Sequence, residues 1–109
     1  MRIRDMQRRA HETAKFKGWY QKSREAPELI ALCHSELSEA LEEARLGRHA
    51  DDPEAGPGHK PVGMGVELAD CVIRIADMCE YFGIDLETAI EDKMTYNETR
   101  EFRHGGKKF

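Results

Sequence analysis

The chain has 109 residues, 39% of them hydrophobic and 35% charged, and carries a formal charge of −4 at neutral pH. That composition describes one soluble, helix-rich domain over residues 1–109 with a modest core, and its acidic balance argues against nucleic acid as a stable partner. No apolar run approaches the roughly 20 residues of a membrane span, and the charged N-terminus lacks a signal-peptide core, so a cytoplasmic location is expected.

In chain order, the sequence predicts four helices and no strand. The first covers residues 5–17 and stops at Gly18. Its basic start (Arg2, Arg4, Arg8, Arg9) is matched by a basic end (Arg103, His104, Lys107, Lys108), read as internal complements to the acidic middle, as part of a site mixing metal and anion contacts, or as solvated tails. Trp19, the only tryptophan, follows that stop beside Tyr20 and is placed either to stack on a base or to close the core.

The second helix runs from Pro27 in its first turn to Leu46, before Gly47. Leu29, Cys33, Leu37, Ala40, Leu41 and Ala44 form an apolar arc, with Glu36 on its border and Glu39 and Glu43 on its polar flank. Residues 47–65, with Pro53, Pro57 and Pro61, read as a loop. The third helix covers residues 66–82 before Gly83 and is apolar nearly all round. Only the stripe Glu67, Asp70, Arg74 and Asp77 interrupts it, and such a helix carries charge into an interior. The fourth starts after Asp85 as N-cap and runs to 102 or 103, leaving a flexible tail. Cys33, Cys71 and Cys79 fit no zinc or C-x-x-C spacing and are expected as buried free thiols.

Glu36-Leu37-Ser38-Glu39 and Glu67-Leu68-Ala69-Asp70 each set two acids three residues apart, on one face of a helix. Joined by a long loop, the two helices can lie antiparallel and converge four carboxylates. Such an all-oxygen cluster suits Mg²⁺, with Mn²⁺ as a substitute, and metals of that kind handle phosphates. The competing reading is a salt-bridged stripe in which Arg74 pairs with Asp70 and Glu67. Glu43 reads as an outer acid or a solvated one, His34 as a base or sugar contact or a structural histidine, and His11, His49 and His59 carry no pattern. On the fourth helix, Lys93, Asn97, Arg100 and His104 share one face, which alone reads as a solvated face and beside an acidic metal cluster suits a polyphosphate.

The two acidic pairs, their spacer, and the Lys93-x-x-x-Asn97-x-x-Arg100 run together resemble the MazG-like nucleoside triphosphate pyrophosphohydrolases, all-α enzymes related to dimeric dUTPases and phosphoribosyl-ATP pyrophosphohydrolase. The resemblance covers nearly the whole chain. It implies hydrolysis of an NTP or dNTP to the monophosphate and pyrophosphate, Mg²⁺ held by Glu36, Glu39, Glu67 and Asp70, and a four-helix, bundle-like domain assembling as a homodimer or homotetramer. In such an assembly Lys107 can reach a neighbouring subunit's phosphates. The alternatives are a metal-stabilised helical dimerisation module without catalysis, or a related dUTPase-like or phosphoribosyl-ATP pyrophosphohydrolase.

Overall fold

The structure, a computed structural model, describes residues 1–49, 58 and 61–101. It contains α1 (Ile3–Phe16), α2 (Ala26–Arg45), α3 (Met64–Tyr81) and α4 (Leu86–Glu98), and no strand among the described residues. No helix is long and apolar enough to cross a membrane. Most of residues 47–65, together with 102–109, lies outside the described residues.

Local sequence explains where the helices stop. At the end of α1, Gly18 takes φ 88°, a left-handed conformation that costs glycine little, and the turn closes with Trp19 N–H donating to Ala14 O at 3.0 Å. Gly83 (φ 71°) ends α3 in the same way, with Ile84 N–H donating to Cys79 O at 2.8 Å. Asp85 caps α4 by accepting from Thr88 N–H at 3.2 Å.

α4 ends earlier than the sequence predicts, at Glu98 instead of 102 or 103. Thr99 turns back on Tyr96, its hydroxyl donating to Tyr96 O at 2.7 Å. Since no residue of α4 is buried, packing does not extend the helix against that local preference.

α3 is the central element, packed on α2 along one side and on α1 along another, while α4 lies against α1. α2 and α3 are antiparallel: Met64 N–H donates to Arg48 O at 2.9 Å at one end, and Arg74 meets Glu36 farther along. The seam of α2 is rotated from the predicted arc. Leu29, Cys33, Ala40 and Glu43 are buried, whereas Leu37 and Leu41 are exposed. Glu43 comes inside because Arg48, just past the helix end, pairs with it. The three cysteines are free and buried, as expected, and burial raises the pKa values of Cys33 and Cys79.

α4 is held at its start by charge. Arg2 pairs with Glu87 at 2.6 Å and Arg4 with Asp85 at 2.8 Å, so these arginines of the basic first segment are bound internally.

Candidate active site

The polar stripe of α3 faces inward. Glu67 is 6% exposed and Asp77 8%, although Leu68, Val72 and Ile73 on the same helix are 40–47% exposed. Glu67 and Asp70 meet Glu36 of α2, and one carboxylate oxygen from each lies within 4.8 Å of the others. At such separations two ionised carboxylates repel by about 3–4 kcal/mol at an effective dielectric of about 20. A hard divalent cation among them would remove that repulsion, and an all-oxygen donor set fits Mg²⁺ or Mn²⁺.

Three of the four predicted ligands therefore come together. Glu39 is exposed and lies outside the group. It stands about 60° round the helix from Glu36, off the seam that Cys33, Glu36, Ala40 and Glu43 follow. Glu43, though buried, is engaged by Arg48 and is also outside the group. His34 is exposed.

Arg74 reaches across the seam, its Nε donating to Glu36 Oε1 at 2.6 Å, while its guanidinium lies 4.1 Å from the centre of the Trp19 ring. Trp19 is held there by the glycine turn after α1 and by Arg24, whose Nε donates to the Trp19 carbonyl at 2.8 Å.

These groups line a cleft of about 510 Å³ between α1 and the α2–α3 seam. Glu36, Asp70, Arg74 and Trp19 form one part of its wall, α1 supplies Arg9 and Thr13, and Lys17 follows at the helix end. Arg9 belongs to the basic start expected to contact an anion, whereas Lys17 has no such reading in the sequence; with Met6, Ala10, Thr13 and Ala14 both keep helical spacing along one face, the signal that marks them.

Asp77 closes the cleft near a second polar network. His11 Nδ1 lies 2.8 Å from Asp77 Oδ1, and the Tyr20 hydroxyl donates to Asp77 Oδ2 at 2.8 Å. Burial, then the bond to Asp77, raises the Tyr20 pKa well above the usual phenol value and keeps it a donor. Tyr20 stacks on Tyr81 with ring centres 4.5 Å apart. His11, patternless in the sequence, is thus a structural partner.

The predicted α4 grip is not part of this cleft. Lys93 and Asn97 are exposed on α4, Arg100 lies beyond the helix end, and none of the three lines the cavity. Lys93 and Arg100 instead approach the Tyr96 ring, at 4.7 and 5.6 Å. Lys107 and His104 lie outside the described residues. Among the described residues, the cations lining the cleft are Arg9 of α1, Lys17 at its end and Arg74 of α3. No protein-family model matches this chain, and neither curated proteins nor solved structures give a match.

Proposed function

We propose that this protein is a Mg²⁺-dependent nucleotide pyrophosphohydrolase of the MazG-like kind, acting on an NTP or dNTP. The observation that carries the reading is the meeting of Glu36, Glu67 and Asp70 within 4.8 Å at the edge of a cleft that also presents Trp19, Arg9 and Lys17. Few substrates need a hard cation, several positive side chains and an aromatic ring together; a nucleoside triphosphate needs all three.

In this reading Glu36, Glu67 and Asp70 hold the metal, which supplies charge neutralisation and a more acidic bound water. Arg9 and Lys17 bind phosphate oxygens and orient the chain of phosphates, Trp19 offers its ring to the base, and a site carboxylate accepts the proton of the attacking water. Attack at the α-phosphorus breaks the α–β anhydride and releases pyrophosphate. Glu39, one turn from Glu36, serves as an outer acid or completes the ligand set when metal is bound.

The reading includes a homo-oligomer. Leu37 and Leu41 on α2 and Leu68 and Val72 on α3 are exposed, and each lies one residue past a seam position. In an antiparallel pair those steps turn to the same side, which is an apolar face for a second copy. Such an assembly also gives Lys93, Asn97 and Arg100 a neighbour's cleft to reach.

A panel of NTPs and dNTPs, assayed for pyrophosphate and orthophosphate with Mg²⁺ and with EDTA, tests the activity. Pyrophosphate release that stops in EDTA supports it; no release from any nucleotide rejects it. The second reading, a non-catalytic dimerisation module, has the Arg74–Glu36 ion pair in its favour, since that bond neutralises one acid without a metal.

A further inference from the structure

Arg74 holds two positions at once. Its Nε donates to the Glu36 oxygen at 2.6 Å, and its guanidinium covers the Trp19 ring at 4.1 Å. The pair is sheltered, with side chains 28% and 14% exposed, so water competes weakly for either charge. Glu36 is also one of the three acids that converge, and together they would hold a divalent cation through carboxylate oxygens. A guanidinium bonded to Glu36 Oε1 already neutralises part of that carboxylate's charge, and a divalent cation held by the same side chain would repel the guanidinium at short range. The cation and Arg74 therefore compete for Glu36.

We propose that Arg74 is a displaceable internal counter-ion: the incoming cation takes Glu36 from it, and the released guanidinium, still on the cleft wall, binds the oxygens of the triphosphate. This rests on reading the three-acid cluster as a metal site. It adds a coupling between two ligands, because a cation that frees Arg74 raises affinity for the polyanion, and by linkage the polyanion raises affinity for the cation. The surrounding charges suit the exchange. Asp70 and Asp77 lie one turn either side of Arg74 on α3, and Arg9 and Lys17 stand in the same cleft to share the phosphates. Arginine suits the role because it can lie flat on an indole while its edge donates hydrogen bonds.

Binding of Mn²⁺ alone, followed by the loss of the free-ion electron paramagnetic resonance signal, tests the competition in wild type, Glu36→Gln, Arg74→Gln, Arg74→Lys and Lys17→Gln. Wild type should bind and Glu36→Gln should bind much more weakly. Arg74→Gln should bind at least about fivefold more tightly than wild type. Lys17→Gln removes the same charge from the same cleft and should change affinity by less than about twofold. Arg74→Lys keeps the charge without the Nε that reaches Glu36, so it should follow Arg74→Gln and stands in for it if that variant does not fold. Binding of an α,β-methylene deoxynucleoside triphosphate then tests the coupling. At saturating Mn²⁺ the Arg74 variants should bind it at least about tenfold more weakly than wild type, and in EDTA they should match it. Trp19 gives a separate readout: Mg²⁺ without nucleotide should change its emission in wild type and leave it unchanged in Arg74→Gln. If wild type binds Mn²⁺ but the Arg74 variants bind no more tightly than Lys17→Gln, the counter-ion role is overturned and the metal site stands. If wild type binds no Mn²⁺, both fall.

Discussion

Gln7 closes on the backbone of Ile84. Its side-chain amide donates to the Ile84 carbonyl at 2.7 Å, and its oxygen accepts from Leu86 N–H at 3.1 Å. At 2% exposed, this glutamine is among the most buried side chains of the protein, and it fastens α1 to the turn between α3 and α4. Gln7→Leu keeps the size but strands one backbone acceptor and one donor. We expect a loss of about 1–3 kcal/mol in urea unfolding, with faster amide exchange at the start of α4. Unchanged stability would mean that water replaces both bonds.

Asp77 joins three elements by accepting from Tyr20 beside His11. Asp77→Ala should cost about 1–3 kcal/mol, because it leaves a half-buried hydroxyl and an imidazole nitrogen without their partner. Asp77→Asn should cost less, since the amide still accepts from the tyrosine. Tyr20 has a raised folded pKa, so its contribution is complete below the ordinary phenol value of 10.0 and disappears as pH rises through the folded value. Tyr20→Phe should accordingly flatten the loss of stability above pH 10.0, read by thermal melts.

Acid should loosen α4 first. Asp85 is lowered from 3.8 to about 2, chiefly by its hydrogen bond from Arg4 and then by Thr88, and Glu87 is lowered by Arg2. With folded values below unfolded ones, the unfolded chain takes up protons first. The contribution is therefore present above pH 3.8 and is lost as pH falls toward about 2. Helical circular dichroism and melting temperature should both fall in that window, and Arg4→Gln should weaken the dependence. A pH-independent Arg4→Gln difference would place its effect elsewhere.

The helices were legible because each carries its own punctuation: Gly18 and Gly83 after α1 and α3, Pro27 at the head of α2, Asp85 before α4. The acidic stripe of α3 was legible for a related reason, since an apolar helix with one charged line must turn that line toward something. Rotation about the helix axis was less so. Leu37 and Leu41 make the predicted arc of α2 look apolar, but the seam runs through Glu36 and Glu43, because Arg48 satisfies the buried Glu43 and Arg74 the half-buried Glu36. One pairing reaches back from just past the helix end and the other crosses the seam, and no periodicity within one helix encodes them. Of the cations in the cleft, Arg9 is legible only as one member of a basic stretch and Lys17 not at all, because charge summed along a segment does not give positions on a helix face.

Glu39 separates two versions of the site. Glu67→Gln and Asp70→Asn remove acids that converge in the structure, and each should lower nucleotide turnover by about 100-fold or more while leaving the fold intact. Glu39→Gln, at an exposed position, should cost about tenfold if Glu39 acts on the site from outside. A Glu39→Gln loss equal to that of Asp70→Asn, with Mn²⁺ affinity lowered to the same extent, would make it a direct ligand drawn in by the metal.

The apolar side of the α2–α3 pair makes the strongest claim about assembly. Ile30, Leu37, Leu41, Leu68 and Val72 are between 40% and 52% exposed, and together they leave uncovered much of what a chain of 109 residues has to build a core with. Pairing two such faces about a twofold axis buries them against their own copies, and a charge placed there would be buried with no partner. Leu41→Glu, and separately Val72→Glu, should therefore convert the protein to monomer in sedimentation velocity at low micromolar concentration. The three-acid cluster faces the other side of the seam, so Mn²⁺ binding should survive in both variants. Turnover should fall only if residues such as Lys93 and Arg100 act on the neighbouring subunit's cleft. A wild-type protein that sediments as an active monomer would refute the interface and leave the single-chain cleft to do the chemistry alone.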